Sequence, residues 1–253
     1  MRFAVGLLLS FASFASAQNP STSDPQAVAL ATKSVAALTG GNSISDVSLT
    51  GNVTWTAGSD IEMGTGTFLA KGTGESRVNL NLSGGNKSYI RNSSGASPAG
   101  AWLGSDGIWH PYALHNCWTD TGWFFPVLSS LSAASPNITL SYVGLENRAG
   151  VSVYHLRSQS SSTNFTVQSL STMDFYLDAS SLLPVAVAFS VHPDNDAGLN
   201  IPAEARFSGY QVTNGVQIPA HMQQLQNGTP LLDFVLTSAT LNSGLPDSEF
   251  AVQ

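Results

Sequence analysis

The chain has 253 residues, of which 42% are hydrophobic and only 10% are charged. A hydrophobic fraction near the globular average excludes wholesale disorder, and the length fits one large β domain or two small ones. The formal net charge is −7, from 9 Lys and Arg against 16 Asp and Glu, and the sequence has no basic stripe. Binding to nucleic acid through neutralisation of phosphates is therefore not expected.

The first 17 residues have the order of a secretory signal peptide. Arg2 supplies a positive start, residues 3–15 are almost wholly apolar, and Ala15-Ser16-Ala17 has the small residues of a cleavage site. The apolar run is shorter than the roughly 20 residues that span a bilayer. We predict cleavage before Gln18, a flexible lead-in over residues 18–23 and a single domain over residues 24–253, in a periplasmic or secreted protein.

Cys117 is the one cysteine of the chain, which excludes an internal disulfide. Its neighbours Asn116 and Trp118 make an aromatic rather than an electropositive setting, so we predict a buried structural thiol and not a nucleophile. Seven Asn-x-Ser/Thr triplets would be glycosylation acceptors in a eukaryotic secretory route. They begin at Asn52, Asn81, Asn86, Asn92, Asn137, Asn164 and Asn227.

A helix is predicted after the lead-in. Asp24 is a favourable N-cap, Pro25 fits the first helical position, and Gly40-Gly41 would stop the helix after Thr39. Apolar residues follow at helical spacing, which predicts one amphipathic helix whose slim face packs on a sheet. They are Val28, Ala31, Val35 and Leu38.

From Val47 the apolar period changes to two, which is typical of strands buried on one face. Runs of this kind recur to the end of the chain, about ten in all, and short connections make them antiparallel. Asn214-Gly215 and Asn227-Gly228 are strong hairpin turns. The fold class predicted is mainly β: a single large curved antiparallel sheet or unclosed β-barrel, with an N-terminal helix and a central helical lid.

The lid is assigned to the aromatic segment from Trp102 to Leu131, which lacks the period of two. Four of the five tryptophans fall between Trp102 and Trp123. Within this segment we predict helical structure over residues 119–131, capped near Thr119 or Asp120 and interrupted at Gly122 and Pro126.

Known catalytic motifs are absent from the sequence. It has no Gly-x-Ser-x-Gly nucleophile elbow and no His-Glu-x-x-His zinc motif, and its five histidines are scattered. Residues 194–198 resemble the start of a calcium loop but lack the closing Glu, so we expect a polar loop there. We predict a protein that is not an enzyme, with no catalytic residue, no metal site and no cofactor.

The C-terminal third contains a series of strand and turn motifs. They are Asp174-Phe175-Tyr176-Leu177-Asp178-Ala179, Leu183-Pro184-Val185, Phe207-Ser208-Gly209-Tyr210, Asn214-Gly215-Val216-Gln217-Ile218-Pro219 and the closing run from Leu241 to Phe250. With these motifs the chain resembles the outer-membrane lipoprotein-sorting (LolA/LolB-like) superfamily. This resemblance implies a strongly curved, unclosed antiparallel barrel, with helices covering an apolar concavity that receives acyl chains.

The resemblance implies a carrier of a lipid or of a lipidated protein that works with a membrane-associated donor or acceptor protein. We expect it to be a monomer. The residues expected to line or cover its concavity are Val35, Leu38, Trp55, Trp118, Trp123, Phe124, Phe125 and Leu128. Two alternatives stay open. One is a structural or interaction module whose barrel is filled by its own side chains, and the other is a carbohydrate-binding β domain with exposed tryptophans.

Overall fold

The structure is a computed structural model that describes residues 22–93, 97–119, 122–126, 131 and 137–252. The predicted signal peptide and most of the predicted lead-in lie outside this part of the chain. No helix within the described ranges is long and apolar enough to cross a membrane.

The described elements are two α-helices, two 3-10 helices and thirteen strands, where the sequence predicted about ten strands. The helices are α1 (Pro25–Thr39), α2 (Phe165–Leu170) and the 3-10 helices Leu114–Cys117 and Asp247–Phe250. The strands are β1 (Asp46–Ala57), β2 (Asp60–Lys71), β3 (Glu75–Leu82), β4 (Gly85–Asn92), β5 (Ala99–Leu103), β6 (Trp109–Pro111), β7 (Ile138–Arg148), β8 (Val151–Ser160), β9 (Met173–Asp178), β10 (Pro184–Val191), β11 (Ile201–Thr213), β12 (Val216–Gln226) and β13 (Thr229–Leu241).

All thirteen strands belong to one antiparallel sheet. Its order is β6-β5-β4-β3-β2-β1-β13-β12-β11-β10-β9-β8-β7, so β1 and β13 lie in the middle and β6 and β7 form its two edges. The edges are not paired with each other, and the sheet is therefore an unclosed barrel. This confirms the predicted fold class. The arm from β2 to β6 and the arm from β12 to β7 face each other across the concave side.

Helix α1 crosses this concave side and has the predicted bounds. The Asp24 carboxylate accepts the Gln26 N–H at 2.7 Å, and Gly40 ends the helix in the left-handed region with φ of 59°. The Asp24 N–H donates to the Leu140 carbonyl on β7, whereas Gly40 lies against Gly215 in the β11–β12 turn. The helix therefore spans from the β7 edge to β12.

The two Asn-Gly turns are confirmed. Asn214 and Gly215 have φ of 51° and 81°, and Asn227 and Gly228 have φ of 54° and 76°. Positive φ at both central residues defines the type I′ geometry, whose twist matches that of the flanking strands. These turns fix the register of β11, β12 and β13.

The core lies between the concave face, α1 and the central aromatic segment. Phe68 on β2 is fully buried, and its ring centre is 4.3 Å from that of Phe234 on β13 and 5.2 Å from that of Phe124. Trp123 packs on the same ring at 6.0 Å. The central segment therefore covers the β2 and β13 part of the sheet.

The described part of the cover has the predicted interruption at Gly122. Of residues 119–131 the structure describes 119, 122–126 and 131, and residues 122–124 form a turn at Gly122, which has φ of 65°. A left-handed residue breaks the α-helical hydrogen-bond ladder. The rest of the predicted helical segment lies outside the described residues, and a 3-10 helix lies earlier, at Leu114–Cys117. Cys117 is 2% exposed, as predicted for a structural thiol.

Helix α2 was not predicted from the sequence. Residues 158–160 end β8, residues 161–163 form a short loop, and Asn164 then caps the helix by accepting the Thr166 N–H at 2.9 Å. The signal was one Asn followed by only six helical residues, too short for an apolar period to show.

Candidate functional site

The concave side contains a cavity of about 370 Å³ at the end of the sheet away from α1. It lies between the two arms, below the central segment and beside the loop that follows β10. Its described lining residues are Trp55, Ser76, Val78, Leu80, Tyr89, Arg91, Tyr112, Asn116, Trp123, Val191, His192, Asp194, Gln224, Gln226, Leu231 and Leu232.

Strand register explains the apolar part of this wall. Trp55 on β1 pairs with Leu232 on β13, and Val78 and Leu80 are alternate residues of β3, so all four point to the concave side. Trp123 contributes from the cover. The cavity thus has apolar groups on its floor, on one arm and on its roof.

A charged pair lies beside Trp55. The Lys87 ammonium is 4.3 Å from the centre of the Trp55 ring and 3.5 Å from a carboxylate oxygen of Glu62. Burial raises the pKa of the neighbouring Tyr89 to about 12, with a smaller contribution from Glu62, while a hydrogen bond with Trp55 opposes the shift. Tyr89 is therefore a neutral phenol on the cavity wall.

Arg91 and Tyr112 form another part of the wall. The Arg91 guanidinium is 3.9 Å from the centre of the Tyr112 ring, and Arg91 is only 6% exposed. Gly100 permits this stack, because a Cβ there would lie 2.8 Å from the Tyr112 ring and 3.0 Å from the Arg91 side chain. The Tyr112 N–H donates to the Gly100 carbonyl at 2.9 Å and fixes the approach.

The opposite arm supplies hydrogen-bonding groups. His192 follows β10, and Gln224 and Gln226 occupy inward positions of β12. Burial lowers the pKa of His192 below its ordinary value of 6.5, and the nearby His115 lowers it further. Asn116 holds the His192 backbone through two hydrogen bonds of 2.7 and 2.9 Å. The β2–β6 arm therefore combines the apolar Val78 and Leu80 with Tyr89 and Arg91, and the other arm, apart from Asp194, presents neutral polar groups.

The structure separates the residues predicted for the concavity. Trp55 and Trp123 line the cavity. Leu38, Phe124 and Phe125 are 0–1% exposed in the core, and Val35 packs against that core. Trp118 is half-buried and is not among the cavity or core residues, and Leu128 lies outside the described residues. Their role in binding stays a prediction.

Sequence reasoning missed the polar half of the wall. Tyr89 and Arg91 belong to no binding motif in the sequence, and His192 is one of its five scattered histidines. Gln224 and Gln226 carried a usable signal, because they are polar at positions where the alternation of β12 requires inward residues. The approach of the loop after β10 to the central segment is tertiary, and no local pattern reports it.

Two other arrangements on the described surface do not make a comparable site. A cavity of about 240 Å³ beside β9 to β11 includes Asp174 and Glu204 in its wall. Their carboxylates already pair with Arg157 at 2.8 Å and with Arg148 at 2.6 Å, respectively. Because both carboxylates are already paired with arginines, neither offers an unpaired charge to a ligand.

The second arrangement is a hydrogen-bonded row on the convex face. The Ser208 hydroxyl is 3.4 Å from His221 Nδ1, and His221 Nε2 is 3.0 Å from an Asp233 oxygen. The side chains of His221 and Asp233 are 37% and 35% exposed, so water competes for these hydrogen bonds. The row lacks the exclusion of water that strengthens the electrostatic interactions of an active site.

Comparisons with known proteins show what the chain is similar to in fold. No family model matches the chain, and no curated protein matches its sequence. Solved structures do match. A LolA superfamily protein from Nitrosomonas europaea has a TM-score of 0.57 at 11% identity, covering 89% of this chain and 97% of its own.

Two further structures agree with the first. An outer membrane lipoprotein-sorting protein domain from Vibrio parahaemolyticus has a TM-score of 0.56 at 11% identity, with 89% of this chain and 96% of its own covered. A DUF1329 family protein from Desulfovibrio piger has a TM-score of 0.56 at 12% identity, with 91% and 98% covered. The chain therefore has the fold of these lipoprotein-sorting and LolA superfamily proteins, which confirms the resemblance at the level of fold.

Proposed function

We propose that this protein is an exported, non-enzymatic carrier that binds a lipid, or the acyl chain of a lipidated protein, in its concave cavity. The observation that carries the proposal is the cavity itself. Its volume of about 370 Å³ falls within the range of roughly 300 to 1,000 Å³ that is usual for small-molecule sites. The cavity has the apolar surface that an acyl chain requires, supplied by Trp55, Trp123 and Leu232.

Burial of methylene groups would supply the affinity. Each buried CH₂ contributes about 0.8 kcal/mol, so eight methylenes contribute roughly 6 kcal/mol before the costs of association are subtracted. Tyr89 is a neutral phenol and Lys87 is paired with Glu62, so neither adds an unpaired charge beside the acyl chain of the ligand. The cavity therefore suits reversible binding, which is what a carrier needs.

The fold and the start of the sequence support the cellular role. One of the structural neighbours is described as an outer membrane lipoprotein-sorting domain, and the order of Arg2, the apolar run and Ala15-Ser16-Ala17 indicates export. We extend the proposal to a periplasmic or secreted monomer that exchanges its ligand with a membrane-associated donor or acceptor protein.

A self-filled module is the second candidate, and a specific observation favours it. Phe124, Phe125 and Leu131 are 0–1% exposed and occupy much of the concave side as ordinary core. In that case the remaining cavity would have no lipid ligand. The carbohydrate-binding alternative needs exposed tryptophans. The structure describes all five tryptophans, and each of them is buried or half-buried.

Binding can be tested directly with the full mature chain. Protein purified from its own host would be analysed by native mass spectrometry for a bound lipid. It would then be titrated with a fatty acid, a phospholipid and a lipopeptide while tryptophan fluorescence is followed, since Trp55 and Trp123 line the cavity. A saturable change for at least one ligand supports the carrier. A flat response to all three, with lipid-free protein, leaves only the self-filled module.

A further inference from the structure

Trp123 separates the cavity from the aromatic core. Its side chain lines the cavity, and its ring centre lies 6.0 Å from that of Phe68 and 5.6 Å from that of Phe124. Phe68 and Phe124 are fully buried and are not lining residues of the cavity. One indole ring therefore forms the boundary between the two regions.

The core behind this boundary is seated directly on the sheet. Phe234 packs on Phe68 with ring centres 4.3 Å apart. The two rings lie over a pair of glycines, Gly51 on β1 and Gly66 on β2, that face each other in the sheet. A Cβ at the first would lie 2.6 Å from the Phe234 ring, and a Cβ at the second 3.2 Å from the Phe68 ring. Such close packing leaves no room for an acyl chain between these rings and the strands.

The floor of the cavity ends where this core begins. On the central strands the described lining residues are Trp55 of β1 and Leu231 and Leu232 of β13, near the end of the sheet away from α1. The next inward residue of β1 is Val53, which is 3% exposed, pairs with Phe234 and does not line the cavity. A chain that enters over the central strands therefore meets the aromatic core directly beyond Trp55.

The cavity is also bounded along β3 and β4. The innermost lining residues of these strands, Ser76 and Arg91, pair with each other, and Arg91 is stacked on the Tyr112 ring. A methylene group is close in size to a water molecule, which takes about 30 Å³ in the liquid, so the cavity volume of about 370 Å³ holds about twelve methylene groups. A second chain of this length would not fit.

We infer that the cavity takes a single acyl chain of about twelve carbons and that Trp123 sets this limit. The inference rests on the proposed carrier function and names its ligand class, a lipid with one chain of medium length. Removal of the indole would add its space to the cavity, because the well-packed Phe68 and Phe124 behind it relax only partly into the gap.

Fatty acids of increasing length measure the limit. The mature protein would be titrated with the sodium salts of octanoic, decanoic, dodecanoic, tetradecanoic and hexadecanoic acid by isothermal titration calorimetry, which does not depend on tryptophan emission. Up to about dodecanoate, each added methylene should tighten binding by up to about fourfold, which corresponds to about 0.8 kcal/mol. Longer chains should gain nothing more, because their additional methylenes stay in water. An affinity that rises evenly through hexadecanoate would overturn the inference.

Two substitutions at the cavity wall should move the limit in opposite directions. Trp123→Leu enlarges the cavity, so the affinity should continue to rise for at least two further methylene groups. Val78→Phe adds a ring to the wall beside the core, since Val78 lines the cavity and pairs with Phe68, and should lower the limit by at least two methylene groups. An unchanged limit in Trp123→Leu would refute the role of Trp123, and an unchanged limit in Val78→Phe would show that the volume of the cavity does not set it.

Phe250→Ala is the matched control. Phe250 is a fully buried ring, but it belongs to the C-terminal 3-10 helix, which lies on the convex face of β3, where Arg77 Nη1 donates to the Glu249 carbonyl oxygen at 3.0 Å. Its removal should leave the limit at about dodecanoate. If it raised the limit as much as Trp123→Leu, a general loosening of the core would explain both shifts and the inference would fall.

The series keeps the inference separate from the carrier function. If Trp123→Leu fails to fold, the unaltered protein and Val78→Phe still test the limit. If no fatty acid binds while the phospholipid or the lipopeptide does, the chain-length inference falls and the carrier stands. If none of these ligands binds, both fall.

Discussion

Asn116 and His192 exchange two hydrogen bonds across 76 residues of chain. Asn116 Nδ2 donates to the His192 carbonyl oxygen at 2.7 Å, and the His192 N–H donates to Asn116 Oδ1 at 2.9 Å. Both residues are buried, so the side chain of Asn116 does what a neighbouring strand would do for this backbone. The pair joins the 3-10 helix of the cover to the end of β10 and closes one side of the cavity.

Asn116→Ala should therefore destabilise the protein and weaken ligand binding together. Two buried backbone groups of His192 lose their partner, which costs about 1 to 3 kcal/mol for each unsatisfied group. Urea unfolding would measure the loss of stability, and the lipid titration would measure the loss of affinity.

Asn195→Ala is the control for this change. Asn195 lies in the same loop region, is exposed and makes no side-chain hydrogen bond with the described residues, so its replacement should change stability by less than about 0.5 kcal/mol. Equal effects of the two substitutions would show that Asn116 does not hold the loop.

Phe125→Ala tests whether the aromatic segment is core or ligand surface. Phe125 is 1% exposed and is not a lining residue of the cavity, so its removal should cost about 3 to 5 kcal/mol of unfolding free energy. Phe165→Ala, whose ring is 79% exposed on α2, should leave stability almost unchanged. Thermal and urea unfolding would measure both. If the Phe125→Ala protein had normal stability but no longer bound lipid, Phe125 would be part of the ligand-binding surface and not of the core.

Local signals explain which parts of the fold the sequence predicts. Helix α1 has the predicted bounds because Asp24 and Gly40 act within one turn of their own positions. The Asn-Gly turns are local in the same way. The count of about ten strands was too low, since the described sheet has thirteen.

Gly51 on β1 is predicted to tolerate no side chain. A Cβ there would lie 2.4 Å from the Val235 carbonyl oxygen and 2.6 Å from the Phe234 ring. The strand β13 and a fully buried ring would both have to shift, and such overpacking costs about 1 to 3 kcal/mol. We expect Gly51→Ala to lower the melting temperature accordingly.

Gly144→Ala gives the matched comparison in another strand. Nothing lies within 4 Å of a Cβ at Gly144 on β7, and its backbone is not in the left-handed region. Alanine should be neutral there or stabilise the fold by about 0.4 to 1 kcal/mol through the unfolded state. The two substitutions are thus expected to differ in sign, and a Gly51→Ala protein as stable as Gly144→Ala would refute the close packing.

Export predicts the first residue of the mature chain. The small residues Ala15-Ser16-Ala17 after the apolar run place the cleavage before Gln18. Intact-mass measurement of the exported protein should give a chain that begins at Gln18, and replacing Ala17 with a bulky residue should slow or shift the cleavage. An exported chain that still carries Met1 would contradict the prediction.

The cavity was less predictable than the fold, for a physical reason. An aromatic run such as residues 123–125 reports burial, but burial against a core and burial against a ligand give the same pattern. Trp123 lines the cavity while the adjacent Phe124 fills the core, and the turn at Gly122 decides which ring points where. His192 lies on the cavity wall only because two segments that are far apart in the chain approach each other.

Asp46 gives a prediction for the dependence of stability on pH. The residue is 2% exposed, and burial alone would raise its pKa, but hydrogen bonds from the Ser243 and Ser45 hydroxyls and from the N–H groups of Ser243 and Gly244 outweigh that effect. The pKa of the folded protein is therefore below the ordinary 3.8. The stabilisation is complete well above pH 3.8 and is lost as the pH falls through the lowered pKa, because the unfolded chain binds the proton first.

Asp46→Asn should consequently be less stable than the unaltered protein at neutral pH, by about 1 to 3 kcal/mol, since an amide cannot accept all four hydrogen bonds on its oxygen. The difference should shrink as the pH falls below 3.8, where the carboxyl group of the unaltered protein becomes protonated as well. Urea unfolding over a range of pH would measure it. Asp60→Asn is the control, because Asp60 is exposed at the β1–β2 turn and, among the described residues, its carboxylate has only the Ser59 hydroxyl as a hydrogen-bond partner, at 3.5 Å. If the difference in unfolding free energy between Asp46→Asn and the unaltered protein were independent of pH, the charge of Asp46 would not stabilise the contact between the start of β1 and the chain after β13.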